Sequence, residues 1–157
     1  MPDYLKCLVP VAALALATLF APKGAEAREI YGLWTDPDWN AVVRLFDCDG
    51  DLCGEIVGLP EDVPNKDLKN PDPALRGRPL IGLRILEGYR RVSEDTWIGG
   101  GDGGRLPGRI YVPTNGDTLG DDKNSYAVRH TSRDTLSIGL KDCTLTCLLN
   151  RVWTRAE

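Results

Sequence analysis

The sequence predicts an all-β domain, in the form of a small, closed, up-and-down β-barrel of about eight antiparallel strands. Short runs rich in valine, isoleucine, threonine and aromatic residues alternate with glycine, proline, asparagine and aspartate, which is typical of strands separated by turns. No window shows a sustained helical period with caps at both ends. About eight strands in a chain of 157 residues suit one closed sheet, with a two-sheet sandwich as the alternative.

An N-terminal leader is expected to precede this domain. The apolar run CLVPVAALALATLFA, residues 7–21, is shorter than the roughly twenty residues of a membrane-spanning helix, and small residues follow it at Ala25 and Ala27. This order favours a secretory signal peptide, residues 1–27, over a retained membrane anchor. Residues 28–157 are then a single domain without a membrane span, periplasmic or secreted, and Cys7 is removed with the leader.

Nine runs are candidate strands, and one long segment between them is not. In chain order the runs are IYGLWT, NAVVRLF, CGEIVGL, LIGLRILEGYRRV, TWIGG, GRIYV, SYAVRHT, TLSIGL and LLNRVWTR. Residues 60–79 contain five prolines, which exclude a central strand. We expect this segment to form a long ordered loop over the sheet or over one barrel mouth, with Asn70 or Asp72 capping a short turn at PALRG.

Charge and residue chemistry argue against several classes of function. The net charge is −4 and there is no basic run, so we expect no nucleic-acid partner. The one histidine, His130, is close in sequence to Ser132 and Asp134, but alternate residues of a strand are too far apart for direct hydrogen bonds. We therefore predict a solvent-facing histidine, no enzyme and no cofactor. GGGDGG is predicted to be a flexible loop, because no βαβ unit surrounds it.

The cysteines of the predicted domain favour disulfides over metal. They are Cys48, Cys53, Cys143 and Cys147. An even number in an exported domain favours two disulfides, and zinc would be unusual at these spacings. A calcium loop that starts at Asp47 would need glycine and glutamate where the chain has Leu52 and Gly58, so no metal is expected.

The spacing of the first cysteine pair predicts a disulfide across a hairpin. If the four residues between them form the loop, Cys48 and Cys53 face each other within reach of a disulfide. A two-residue turn would pair Cys48 with Asp51 and is expected to send the two sulfurs to opposite faces, so the disulfide predicts the longer loop. Cys143 and Cys147 can join only if the residues between them turn. Of the three connectivities, two local bridges are preferred.

The two ends of the domain carry residues that can close a barrel. YGLW places Gly32 and Trp34 on the first strand, and RVWTR places Arg151 and Arg155 on the last. First and last strands are neighbours in a closed barrel, so one of these arginines is expected to stack on Trp34, a contact worth about 1–2 kcal/mol. This G-x-W motif with a C-terminal arginine resembles the structural signature of the lipocalin superfamily.

A more specific resemblance covers nearly all of the predicted domain. GLWTD, VVRLFDCDGDLCGEIVGL, NPDPALRGRPLIGL, GRIYVP and NRVWTR resemble the bacterial exported family named domain of unknown function 2147. The resemblance implies a lipocalin-like β-barrel, periplasmic or secreted, and it brings no established activity and no catalytic residues. One departure is DTLGDDKNS, residues 117–125, which is longer than the short hairpin usual in the family.

Two functions are consistent with such a barrel. The first is a binding module for a small apolar or amphipathic ligand in the lumen, with the long loop as a lid and Arg76 and Arg78 near an anionic headgroup. In an alternative role, these arginines tie the loop to the barrel. The second function is a protein-interaction or inhibitor domain of the cell envelope, with an envelope protein as partner and no ligand. The preference for the first rests on fold analogy.

Overall fold

The structure, a computed structural model, describes residues 29–100, 108–120, 124–142 and 151–157. These residues form ten β-strands and a short 3₁₀ turn at Pro73–Leu75. The strands are β1 Gly32–Thr35, β2 Val42–Cys48, β3 Asp51–Gly58, β4 Arg84–Arg91, β5 Thr96–Gly99, β6 Arg109–Val112, β7 Asp117–Leu119, β8 Tyr126–Ser132, β9 Thr135–Leu140 and β10 Arg151–Arg155. None of the described residues belongs to a helix that is long and apolar enough to cross a membrane. The predicted leader and the predicted Cys143–Cys147 bridge lie outside the described residues.

Eight of these strands form a closed antiparallel barrel. The order around the ring is β1, β2, β3, β4, β5, β8, β9 and β10, and every neighbouring pair is antiparallel. β1 and β10, the first and last strands, close the ring through the pairs Trp34–Arg155 and Thr35–Thr154. The fold is therefore the all-β, closed barrel of eight antiparallel strands that the sequence predicts.

The two remaining strands, β6 and β7, form a hairpin attached to β4. One edge of β4 is divided between two neighbours, because Leu86 and Glu87 pair with β6 whereas Arg90 and Arg91 pair with β5. Among the described strands, β7 pairs with β6 alone. The hairpin is thus joined to the barrel along one short edge, near the point where β4 begins.

The two ends of the barrel differ in what covers them. At the closed end β1 begins and β10 ends, and Ile30 is buried just before β1. At the other end, termed the mouth, β3 and β5 end and β4 begins. The β6–β7 hairpin and the long loop of residues 59–83 lie at the mouth.

Side chains fill the interior of the barrel. Successive residues of a strand face opposite sides of the sheet, so alternate positions of each strand point inward. The buried core comprises Ile30, Trp34, Val43, Leu45, Leu52, Ile56, Leu80, Ile85, Leu86, Tyr89, Trp97, Ile110, Val112, Tyr126, Val128, Leu136, Ile138 and Trp153. An eight-stranded barrel is just wide enough to be filled in this way. The described core side chains therefore pack against one another inside the barrel.

The hairpin of the first cysteine pair confirms one prediction and corrects another. Cys48 and Cys53 form a disulfide, with their Cα atoms 5.9 Å apart. The loop, however, is a two-residue turn at Asp49 and Gly50, and Cys48 pairs with Asp51. Both turn residues have positive φ, 60° and 90°, as a type I′ hairpin turn requires. The prediction of a longer loop was wrong. Asp51 lies directly opposite Cys48, and Cys53, two residues after Asp51, points to the same face of the sheet. Cys53 is therefore the diagonal neighbour of Cys48 and its sulfur can reach that of Cys48.

The long loop of residues 59–83 is ordered by its own hydrogen bonds, as the sequence predicts. Asp72 caps the 3₁₀ turn by accepting a hydrogen bond, 2.9 Å long, from the backbone N–H two residues later. Asn65 Oδ1 accepts from two backbone N–H groups at 2.8 and 2.9 Å. The loop packs tightly against the β6–β7 turn, since a Cβ atom on Gly116 would lie 2.1 Å from the Lys69 carbonyl oxygen.

Candidate functional site

Arg155 of β10 holds the closed end together. Its guanidinium group lies over the Trp34 ring, 4.2 Å from the ring centroid, so the predicted stack is present. Its nitrogens donate hydrogen bonds to three carbonyl oxygens, at 2.7 Å to Glu29, 3.2 Å to Tyr31 and 3.0 Å to Arg133. One side chain thus joins the segment before β1 to the last strand and to the β8–β9 turn.

Gly32 leaves room for this arginine. Its φ is +120°, and a Cβ atom there would lie 3.0 Å from a guanidinium nitrogen of Arg155. Glycine accepts such a φ without strain. Trp34 is completely buried and donates its Nε1–H to the Ile30 carbonyl oxygen at 2.7 Å. The G-x-W motif and the C-terminal arginine therefore form one structural unit that closes this end.

Arg151, also predicted to close the barrel, acts at the opposite end. It does not stack on Trp34, because its Nη1 atom lies 2.6 Å from Asp38 Oδ2 in the β1–β2 loop. Arg151 lies four positions before Arg155, which is roughly 13 Å along a strand. Arg151 therefore links the last strand to the β1–β2 loop at the mouth.

His130 does not face solvent, and that prediction was wrong. The residue is 2% exposed, and its ring meets the Trp34 ring edge to face with centroids 5.8 Å apart. The reason is which face of β8 points into the barrel. Tyr126, Val128 and His130 are alternate residues of this strand, so they share one face, and all three are buried. His130 therefore belongs to the packing of the closed end.

The mouth contains a small apolar cleft beneath the β6–β7 hairpin. Its volume is about 20 Å³, room for about one water molecule. The cleft is lined by Asp36, Ile85, Ile110, Tyr111, Val112, Leu119, Ile138, Arg151 and Trp153. Trp153 is 2% exposed, and its Nε1–H has no hydrogen-bond acceptor among the described residues. An unsatisfied buried donor costs on the order of 1–3 kcal/mol, and this one belongs to a residue that lines the cleft.

Two charged residues, Asp36 and Arg151, lie at the edge of this cleft. Asp36 is buried, and loss of solvation raises the pKa of its carboxyl group. The Asp38 backbone N–H donates a hydrogen bond to Asp36 Oδ1 at 2.9 Å, and the Trp39 side chain also hydrogen-bonds to this carboxyl group. These two hydrogen bonds lower the pKa of Asp36 and so oppose the rise caused by burial. The cleft therefore combines an apolar lining with polar groups at one edge, which suits a ligand with a small polar end.

A polar network fastens the β6–β7 hairpin to the long loop. Tyr111 of β6 donates its hydroxyl hydrogen to Asp67 Oδ1 at 2.6 Å and accepts from Asn70 Nδ2 at 3.2 Å. Arg78 donates to Asp67 Oδ2 at 2.8 Å, and its guanidinium group lies 5.4 Å from the centre of the Tyr111 ring. The Asp67 side chain is fully buried, and its charge is neutralised by Arg78. These four residues are termed the latch.

The arginines that the sequence suggested for an anionic headgroup have partners within the protein. Arg78 belongs to the latch, and Arg76 Nε donates to the Asn70 carbonyl oxygen at 2.8 Å. Both contacts fit the alternative role, in which the arginines hold the loop in place. Among the described residues, no group of three or more histidine, cysteine, aspartate or glutamate side chains could hold a metal ion.

Asp67 and Tyr111 of the latch were not predicted from the sequence. The segment NPDPALRGRPLIGL, which contains Asn70 and Arg78, belongs to the family resemblance, and most of it falls within residues 60–79, which were predicted to form an ordered loop. No local pattern pointed to Tyr111, however, because it lies 44 residues from Asp67.

The ring of strands and the closing unit of Arg155, Trp34 and Gly32 define a lipocalin-like β-barrel. A solved structure with the same fold is described as "Protein HP1028 from the human pathogen Helicobacter pylori belongs to the lipocalin family". It aligns with a TM-score of 0.61 over 82% of this chain and 84% of that chain, at 19% sequence identity. An identity this low shows the fold alone.

A family model described as "Uncharacterized protein conserved in bacteria (DUF2147)" matches residues 32–155. The chain belongs to the DUF2147 family. No curated protein matches it significantly.

Proposed function

We propose that this protein is a binding module for a small apolar or amphipathic ligand, and that the ligand occupies the cleft beneath the β6–β7 hairpin. The observation that supports this most directly is the buried Trp153 Nε1–H, which lacks an acceptor among the described residues. A ligand with a carbonyl or hydroxyl oxygen satisfies this donor, while its apolar part contacts side chains such as Ile138 and Val112. The lipocalin-like fold is compatible with this function.

In this proposal the hairpin is a lid. The cleft of about 20 Å³ is far smaller than the roughly 300–1,000 Å³ of small-molecule sites, so a ligand enters only when the mouth opens. The hairpin suits this movement, since it meets β4 through two residue pairs and contributes Ile110, Val112 and Leu119 to the cleft. Its displacement leaves the eight-stranded ring intact, and the latch sets how readily it moves.

We also propose that the protein works in the periplasm or outside the cell. The Cys48–Cys53 disulfide supports export, because disulfides persist in oxidising compartments. The signal-peptide interpretation of residues 1–27 supports the same location. N-terminal sequencing of protein from separated cell fractions tests this, and a cytoplasmic chain that keeps residues 1–27 contradicts it.

A variant that fills the cleft tests the proposed site. Val112→Phe places a ring where a smaller side chain lines the cleft, whereas Val152→Phe adds the same ring on the outer surface, where Val152 is 49% exposed. We expect the wild type and Val152→Phe to bind the fluorescent dye 1-aminoanthracene saturably, and Val112→Phe to bind at least about tenfold more weakly. Unchanged binding by a folded Val112→Phe variant contradicts the proposed site.

A second candidate function is that of a protein-interaction domain of the cell envelope. One observation favours it: the ordered long loop exposes Leu68, Leu75 and Ile81, at 52%, 39% and 46%. Apolar side chains exposed on an ordered segment are typical of contact surfaces. Pull-down from a periplasmic extract with wild type and with Leu68→Ser tests this function. A saturable partner that is retained by the variant argues against this surface.

A further inference from the structure

The outer side of the latch forms a second and larger concavity. A groove of about 410 Å³ lies between the long loop and the outer surface of β4, β6 and β7, a volume typical of small-molecule sites. It is distinct from the cleft, since Tyr111 is the one residue that lines both. The groove is open to solvent, so a ligand can reach it without any movement of the hairpin.

The groove carries an excess of positive charge. Arg84 and Arg109 line it together with Glu87, while the charge of Arg78 is neutralised by buried Asp67. Glu87 forms an ion pair with each of these two arginines. Its carboxylate oxygens lie 4.0 Å from Nε of Arg84 and 3.5 Å from Nε of Arg109. These distances exceed the roughly 2.7–2.9 Å of a charge-assisted hydrogen bond. The guanidinium groups therefore retain donors for an incoming anion.

Aromatic rings pack against two of the arginines that line the groove. The guanidinium carbon of Arg84 lies 5.6 Å from the centre of the Phe46 ring, and that of Arg78 lies 5.4 Å from the centre of the Tyr111 ring. A guanidinium group that is already oriented loses less conformational entropy when it binds a planar or tetrahedral oxyanion. Leu83 adds apolar surface beside these charges. The groove thus offers the accessible guanidinium groups of Arg84 and Arg109 beside an apolar wall.

We propose that this groove binds a small amphipathic molecule through a carboxylate or phosphate group held by Arg84 and Arg109. The site goes beyond the proposed function of the cleft and does not depend on it. Glu87 competes with the ligand for both arginines, so its removal strengthens binding. If the ion pairs of Glu87 with Arg84 and Arg109 had only a structural role, removal of Glu87 would not strengthen ligand binding.

Titration with hexyl phosphate, followed by ¹H–¹⁵N NMR, tests the groove. We expect saturable shifts in residues 83–87 and 109–111. The double substitution Arg84→Gln and Arg109→Gln should weaken binding at least about tenfold, and Glu87→Gln should strengthen it about threefold. Arg90→Gln removes an exposed charge from β4 outside the groove and should leave the affinity unchanged.

Several outcomes overturn the proposal. The proposal is wrong if Arg90→Gln weakens binding as much as the double variant does, if the double variant binds with unchanged affinity, or if Glu87→Gln binds more weakly than the wild type. If the double variant does not fold, the Glu87→Gln result alone decides. Binding of 1-aminoanthracene by the double variant separates failure of the groove from failure of the cleft. In a second arm, pelleting with phosphatidylglycerol vesicles that requires Arg84 and Arg109 assigns a lipid headgroup as the ligand. Hexyl phosphate binding without pelleting assigns a soluble ligand, and either result supports the oxyanion site.

Discussion

At the scale of single residues, Arg155 closes the barrel and its removal should destabilise the whole fold. Arg155→Ala loses the stack on Trp34 and three hydrogen bonds to carbonyl oxygens. We expect the free energy of unfolding in urea to fall by about 2–4 kcal/mol, and by less for Arg155→Lys, which keeps the charge but not the planar donors. Arg133→Ala is the control, since its backbone carbonyl alone takes part. A loss no larger than that of the control contradicts this role.

Asp36 should make stability depend on pH. Burial raises the pKa of its carboxyl group above 3.8 in the folded protein, so the folded state holds the proton more tightly than the unfolded state does. The contribution of Asp36 to stability is therefore complete below pH 3.8 and is lost as the pH rises through the folded-state pKa. Asp36→Asn removes this titration and keeps an oxygen that can accept from the Asp38 N–H.

The measurement for Asp36 is urea unfolding of wild type and Asp36→Asn across this pH range. We expect the free energy of unfolding of the wild type, relative to that of the variant, to decrease as the pH rises. A difference that stays constant, or that increases with pH, contradicts the raised pKa of Asp36.

At the scale of elements, one hydroxyl group connects the β6–β7 hairpin to the long loop. Tyr111→Phe removes the hydroxyl that donates to Asp67 and accepts from Asn70. We expect faster amide hydrogen exchange in β6 and β7, by an amount equivalent to about 1–2 kcal/mol, with β8 and β9 unchanged. Tyr31→Phe is the matched control, because its hydroxyl contacts Asp47 at the surface. Unaltered exchange in the hairpin argues against the latch.

The positions of the strands could be predicted from the sequence better than their faces. GRIYV and TLSIGL coincide closely with β6 and β9, because both runs combine β-branched residues with turn residues on each side. β7, at Asp117–Leu119, was not predicted, since three residues are too few to show a period of two. The face of His130 was also predicted wrongly, because pairing with distant strands decides which side of β8 points inward.

The candidate site could be predicted less well than the fold. Trp34 and Arg155 were found because the first and last strands must meet in any closed barrel. The cleft draws its lining from five strands and the β1–β2 loop, so no segment of the sequence contains its pattern. The latch likewise joins a loop to a strand that is distant in sequence, as Asp67 and Tyr111 show.

At the scale of the whole molecule, the barrel combines a filled, ring-closed body with a mouth that one hairpin covers. The closed end is fixed by Arg155, and the interior is occupied by side chains, three tryptophans among them. Of the three buried tryptophans, Trp153 is the one whose indole N–H has no acceptor among the described residues, and Trp153 lines the cleft. The ligand hypothesis depends on that donor.

The most direct measurement is the indole N–H resonance of Trp153 in ¹H–¹⁵N NMR during titration with 2-nonanone, a small ketone. Its assignment comes from Trp153→Phe, and Trp34 is an internal reference, because its N–H is already donated to the Ile30 carbonyl. We expect a saturable shift of the Trp153 signal while that of Trp34 stays in place. A Trp153 signal that does not move while the ketone binds, or the absence of any saturable binding, contradicts a ligand site in the cleft.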